Sequence, residues 1–136
     1  MGPVTTTMVT TLRIARATRH LERIVEFYVG GLGLTVLGSF HGHEGYDGVM
    51  LGLPGAPFHL EFTLRRGRAG GGVPDEDDLL VFYIPDRDAW QASIDRLHAL
   101  GRHRVAAANP YWDRHGWTFV DPDGNRLVLE NSAWSP

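Results

Sequence analysis

The chain has 136 residues, 43% of them hydrophobic, and no cysteine. That is enough apolar material for one domain with its own core, and it rules out disulfides, iron–sulfur clusters and a thiol nucleophile. All 13 Lys and Arg positions are arginine, which rules out a Schiff-base lysine and a phosphate-loop lysine.

The formal net charge is -3, and the one basic cluster, Arg65, Arg66 and Arg68, sits among glycines, so no nucleic-acid surface is expected. The start of the chain shows no basic, apolar leader and no long apolar run follows, which predicts a cytoplasmic protein without membrane contact.

Residues 12 to 18 read as a strand. Leu21, Ile24, Val25 and Tyr28 then fall at i, i+3, i+4 and i+7, which predicts a helix over 20–31, stopped by Gly30, Gly31 and Gly33. Strands are expected at Leu34 to His41, Gly48 to Leu53 and Phe58 to Thr63, with turns at His43-Glu44-Gly45 and Pro54-Gly55. From Arg65 to Asp78 the chain is Gly-rich and then acidic, the composition of a connector. Leu79 to Ile84 reads as a strand, and Asp86 can cap a helix whose apolar stripe is Trp90, Ile94, Leu97 and Leu100, ended by Gly101. Short strands fit at Arg104 to Ala106, Trp117 to Val120 and Arg126 to Glu130, with a turn at Asp121-Pro122-Asp123-Gly124.

The order of elements repeats across the connector. A single α+β domain is expected, with module one at about 11–64, the connector at 65–78 and module two at about 79–134. Each βαβββ module carries one helix on one sheet face, and the free faces make a cupped, partly open, eight-stranded mixed sheet suited to a small ligand.

Three features place a family on this pattern: Glu26-Phe27-Tyr28 followed by Gly31-Leu32-Gly33-Leu34, the strand His59-Leu60-Glu61-Phe62, and the turn Asp121-Pro122-Asp123-Gly124-Asn125. In this order and spacing the chain resembles the vicinal oxygen chelate superfamily of glyoxalases, bleomycin-resistance proteins and extradiol dioxygenases, in particular its metal-free bleomycin-resistance-like branch. The resemblance implies one metal-ligand position on each of four cup strands. Aligned by these motifs, the four are Arg13, Glu61, Leu79 and Val128, of which only Glu61 can bind a cation. No cofactor or metal is therefore expected, and Arg13 is expected to enter the cup and pair with Glu61, because a guanidinium fork matches a carboxylate.

His59 and Glu61 share a strand face at period two and can act as a base and its orienter or as polar pocket walls. His41 and His43 have the same spacing near a turn. Tyr46, Trp112 and Trp117 lie at loops and strand ends, where aromatic walls favour flat or amphiphilic ligands. Whether Trp117 and Phe119 face the cup or the helix is open at this stage. The ligand-binding set is expected to be Arg13, Tyr46, His59, Glu61, Tyr83, Trp112, His115 and Val128.

The resemblance implies a small-molecule binding protein that sequesters an aromatic or amphiphilic compound, such as an antibiotic, as a homodimer. The alternatives are a metal-dependent lyase, isomerase or dioxygenase with ligands drawn from His41, His43, His59, Glu61 and His115, and a metal-free enzyme using His59 or Glu61.

Overall fold

The computed structural model describes residues 9–68 and 72–136. Module one begins with strand β1, Leu12–Ala17, and helix α1, Leu21–Val25, which widens into a π-helical turn over Glu26–Gly31. The expected helix over 20–31 is thus only partly α. The widening brings the Gly30-Gly31 end against the second helix, where a Cβ on Gly31 would come within 2.5 Å of Leu97, so glycine is what permits this contact. Gly33, at φ 81°, then turns the chain out of the helix.

Strands β2 (Thr35–His43), β3 (Tyr46–Gly52) and β4 (Phe58–Arg65) complete the module. Glu44 and Gly45 both take positive φ between β2 and β3, the conformation a tight hairpin with a primed turn demands. In space the sheet runs β1-β4-β3-β2, with β1 parallel to β4 and the other pairs antiparallel.

Module two contains β5 (Leu79–Tyr83), α2 (Arg87–Ala99), β6 (Gly116–Val120) and β7 (Arg126–Glu130), in a three-stranded sheet ordered β5-β7-β6. Asp86 caps α2 by accepting from the Ala89 amide at 2.9 Å, and Gly101 follows the helix at φ 77°, as their positions in the sequence predict. The expected eighth strand at Arg104 to Ala106 is reduced to a single bridge, Val105 to Thr118. Two residues on, the Ala107 amide donates to the Asp113 side chain rather than to β6, so the ladder does not extend. Among the described residues the strands number seven, in two separate sheets. Of the connector 65–78, residues 69–71 lie outside the described part.

Period-two alternation sends Leu60 and Phe62 of β4, Val49 and Leu51 of β3, and Leu127 and Leu129 of β7 to the helix side, where all are buried. They join Ile24, Phe27, Tyr28, Trp90, Ile94 and Leu97 in one core that spans both modules. Trp117 and Phe119 face this side as well: the Trp117 ring meets Trp90 edge-on at 5.8 Å, and Phe119 is fully buried. The Trp90 indole donates to the Leu129 carbonyl at 2.8 Å. No helix among the described residues is long and apolar enough to cross a membrane.

The modules are joined by polar contacts inside this core. The Tyr28 hydroxyl donates to Asp121 Oδ2 at 2.8 Å, with both residues buried. Asp121 Oδ1 accepts from the Asp123 and Asn125 amides, both at 2.9 Å, and so shapes the turn between β6 and β7. Arg96 on α2 reaches back to the Gly31 and Leu32 carbonyls at the end of the first helix, satisfying acceptors that a helix terminus leaves free. Replacing Tyr28 with Phe is expected to lower stability by about 1 to 3 kcal/mol, because a buried carboxylate loses a donor that water cannot readily replace. Denaturant unfolding checks this, and a cost below about 0.3 kcal/mol would show that Asp121 finds another partner.

Candidate functional site

On β1 and β4 the parallel register sets Arg13 beside His59 and Ala15 beside Glu61. Because Ile14, Leu60 and Phe62 turn to the helix side, Arg13, His59 and Glu61 project from the opposite face. There the Arg13 guanidinium spans both neighbours. Its Nε donates to His59 Nε2 at 2.8 Å and its Nη1 to Glu61 Oε2 at 3.1 Å.

The expected Arg13–Glu61 pair is therefore formed, and His59 is part of it. Both groups that could offer a lone pair to a cation instead accept from arginine, which has no lone pair to offer. At the other two aligned positions, Leu79 and Val128, the side chains are aliphatic, and among the described residues no group of three or more His, Asp and Glu side chains is placed to hold a metal ion. These residues do not fit the metal of the chelate superfamily.

The Arg13 side chain is 47% exposed and that of Glu61 14%. Water thus still reaches the guanidinium, and the large penalty of an orphaned buried charge does not apply; a pair of this exposure contributes up to about 1 kcal/mol.

Apolar groups surround the triplet on the same face. Met50 is the β3 partner of Glu61, and Phe40 and Leu37 of β2 lie across the glycines of β3. A Cβ on Gly48 would come within 2.3 Å of Phe40 and one on Gly52 within 3.1 Å of Leu37, so the two glycines let those side chains lie flat on the strand. Tyr46 stands at the far end of β3 under Arg65, whose guanidinium is 6.0 Å from the ring centroid.

The rest of the expected set is on module two. Tyr83 and Val128 lie on the sheet face away from α2, Tyr83 exposed and Val128 fully buried. Trp112 sits in a 3-10 turn over Pro110–Asp113, against Tyr111, and His115 follows it, exposed, before β6. No hydrogen bond or ion pair among the described residues joins these four to Arg13, His59 or Glu61. The expected set is thus shared between the two modules. His41 is tied at its Nδ1 to Asp47, 3.0 Å away, and at its Nε2 to Arg66. Arg66 and the Gly42 amide also bond Asp47, and the Gly42 amide leads in holding its carboxyl below the ordinary aspartate value. His41 is thereby part of a hairpin latch, not of a ligand pair with His43.

Glu130 is the residue that the sequence reading overlooked. It lies two positions after Val128, on the same face by simple alternation, is 4% exposed, and its Oε1 has no hydrogen-bond partner among the described residues. Thr118, on the same face of β6, is also buried, with an Oγ1 that has no partner among the described residues. Gly116 admits the carboxylate, since a Cβ there would meet Glu130 Oε1 and the Trp112 carbonyl, each at 2.9 Å. Loss of solvation pushes the Glu130 carboxyl above the ordinary glutamate value, and the nearby His115 opposes the shift.

Two family models match the chain in succession: the YycE-like N-terminal domain over residues 12–63 and the YycE-like C-terminal domain over residues 77–131. The chain belongs to the YycE-like family. The uncharacterized YycE protein of Bacillus subtilis strain 168 is 48% identical over 121 residues, covering 89% of this chain and 87% of that one. A crystal structure of a Bacillus subtilis YycE protein of unknown function superposes with a TM-score of 0.87 at 46% identity, over 93% of each chain. Leishmania major glyoxalase I shares the fold, with a TM-score of 0.71 at 20% identity over 94% of this chain and 88% of the enzyme. The YycE-like fold is that of the vicinal oxygen chelate superfamily, as the sequence motifs imply.

The raised Glu130 value sets a sign for pH dependence. A carboxyl that holds its proton more tightly when folded contributes stability at low pH and loses it as pH rises through the folded-state value. Wild type is therefore expected to lose stability relative to Glu130→Gln as pH rises through and above the ordinary glutamate range. Thermal unfolding of both proteins across that range checks this, and a variant that is instead less stable at the alkaline end would show that the carboxylate is paired.

Proposed function

We propose that the protein binds a small aromatic or amphiphilic molecule, such as an antibiotic, on the module-one face and sequesters it without an inherited metal site. The observation that carries this reading is the arginine fork at the first aligned ligand position, bonded to both His59 and Glu61. The triplet supplies a polar, orienting anchor, and Leu37, Phe40 and Met50 supply the apolar floor beside it, the combination typical of small-molecule sites.

A second copy of the chain completes the site in this proposal. Leu12, Leu37, Leu53 and Phe58 are between 38% and 55% exposed, and apolar groups this open on one module suit an isologous contact. The strand at the edge of each sheet offers further unpaired backbone for it.

Calorimetric titration with planar conjugated antibiotics tests the reading together with light scattering. A dimer mass is expected, and Arg13→Ala is expected to weaken binding by about tenfold, the loss of one charge-assisted hydrogen bond, while costing no more than about 1 kcal/mol of stability. A monomer, or affinity unchanged by Arg13→Ala, would contradict it.

A further inference from the structure

Beyond the end of β1 the two modules leave a cleft of about 1110 Å3 that reaches Tyr46 and Arg65 at the far end of the Arg13 face but includes none of Arg13, His59 and Glu61. We propose that it is a second binding site, for a hydroxyl-bearing organic phosphate. The inference does not rest on the function proposed for the Arg13 face.

Charge is the first reason. Arg16, Arg19, Arg65 and Arg68 line the cleft against two carboxylates, Asp78 and Asp123. The cleft is therefore positive by two charges with His20 neutral, in a chain whose formal charge is -3. Arg13, Arg66, Arg104 and Arg126 each form an ion pair with a carboxylate. The four cleft arginines form none among the described residues. A positive recess in a negative chain draws anions to itself.

Unmet hydrogen bonds are the second reason. Arg16 turns to the helix side of β1 beside the core, and its Nη1 is shut off from solvent without a partner among the described residues; Asp123 Oδ2, on the turn across the cleft, is in the same condition. Buried polar groups are rarely left so, because each unmet bond costs free energy. The donor calls for an anionic oxygen and the acceptor for a hydroxyl, so one ligand carrying both would meet them together.

The third reason is shape. Arg16 lies on β1 and Arg19 just after it, Arg65 ends β4 and Arg68 follows, so the cleft is lined by guanidinium groups from two strand ends. A tetrahedral phosphate, with three acceptor oxygens, can use several such forks, whereas a carboxylate presents a single plane. The cleft is at the upper end of the size of small-molecule sites, with Ile14, Leu79 and Leu80 as apolar wall. A bare phosphate ion would leave most of it empty.

Calorimetry with ribose 5-phosphate, inorganic phosphate and ribose tests the proposal. Saturable binding of ribose 5-phosphate is expected, with inorganic phosphate about tenfold weaker or more and no binding of ribose. Arg16→Gln and, at an exposed position independent of the core, Arg68→Gln should each weaken ribose 5-phosphate binding about tenfold, while Arg13→Gln leaves it unchanged. The proposal is overturned if neither phosphate saturates, if inorganic phosphate binds as tightly as the ester, if both cleft variants bind as wild type does, or if Arg13→Gln weakens binding as much as they do.

Discussion

The hydrogen bond from Tyr28 to Asp121 joins the end of the first helix to a turn 93 residues later and is made wholly inside the core. Burial and the neighbouring carboxylate hold the Tyr28 hydroxyl well above its ordinary pKa, so it remains a donor. Loss of solvation pushes the Asp121 carboxyl up, while the Tyr28 hydroxyl and the Asn125 and Asp123 amides pull the other way. One side chain thus shapes the β6–β7 turn and at the same time holds module one to module two. With Arg96 reaching the Gly31 carbonyl, it sets how the helices pack, and that packing decides which face of each sheet is left over.

The face left over on module one is where the chain departs from the chemistry associated with its fold. A strand pair that could present a histidine and a glutamate to a cation presents them to a guanidinium instead. Arginine at this point replaces a divalent charge by a single one spread over a plane, which orients ligands by hydrogen bonding but gives no open coordination position. Module two carries the opposite arrangement, a buried Glu130 carboxyl whose Oε1 has no partner among the described residues. Such a group favours its neutral form, so the two faces differ in charge as well as in sequence.

Much of this was legible from residue patterns. Period-two alternation placed His59 and Glu61 on one face, the Tyr28-to-glycine spacing located the first helix, and Asp86 and Gly101 bounded the second. Other features depend on partners distant in sequence. The π-helical turn brings Gly31 against Leu97, and the lost eighth strand goes with the bond between Ala107 and Asp113. Neither is written in local propensity. Of the expected ligand-binding set, Tyr83, Trp112, His115 and Val128 lie on module two and the arginine triplet on module one, a division set by topology and not by residue type. Glu130 shares a face with Val128 by the same alternation, but its burial depends on Gly116 and the Trp112 carbonyl, which local sequence does not reveal.

The central claim is that arginine takes the place of a metal on the module-one face. Elemental analysis of the protein purified from cells without chelators tests it most directly. The account predicts less than about one tenth of an equivalent of any transition metal per chain, since the donors at that face are committed to Arg13. About one equivalent of zinc, nickel, iron or manganese, lost on Glu61→Ala, would contradict it.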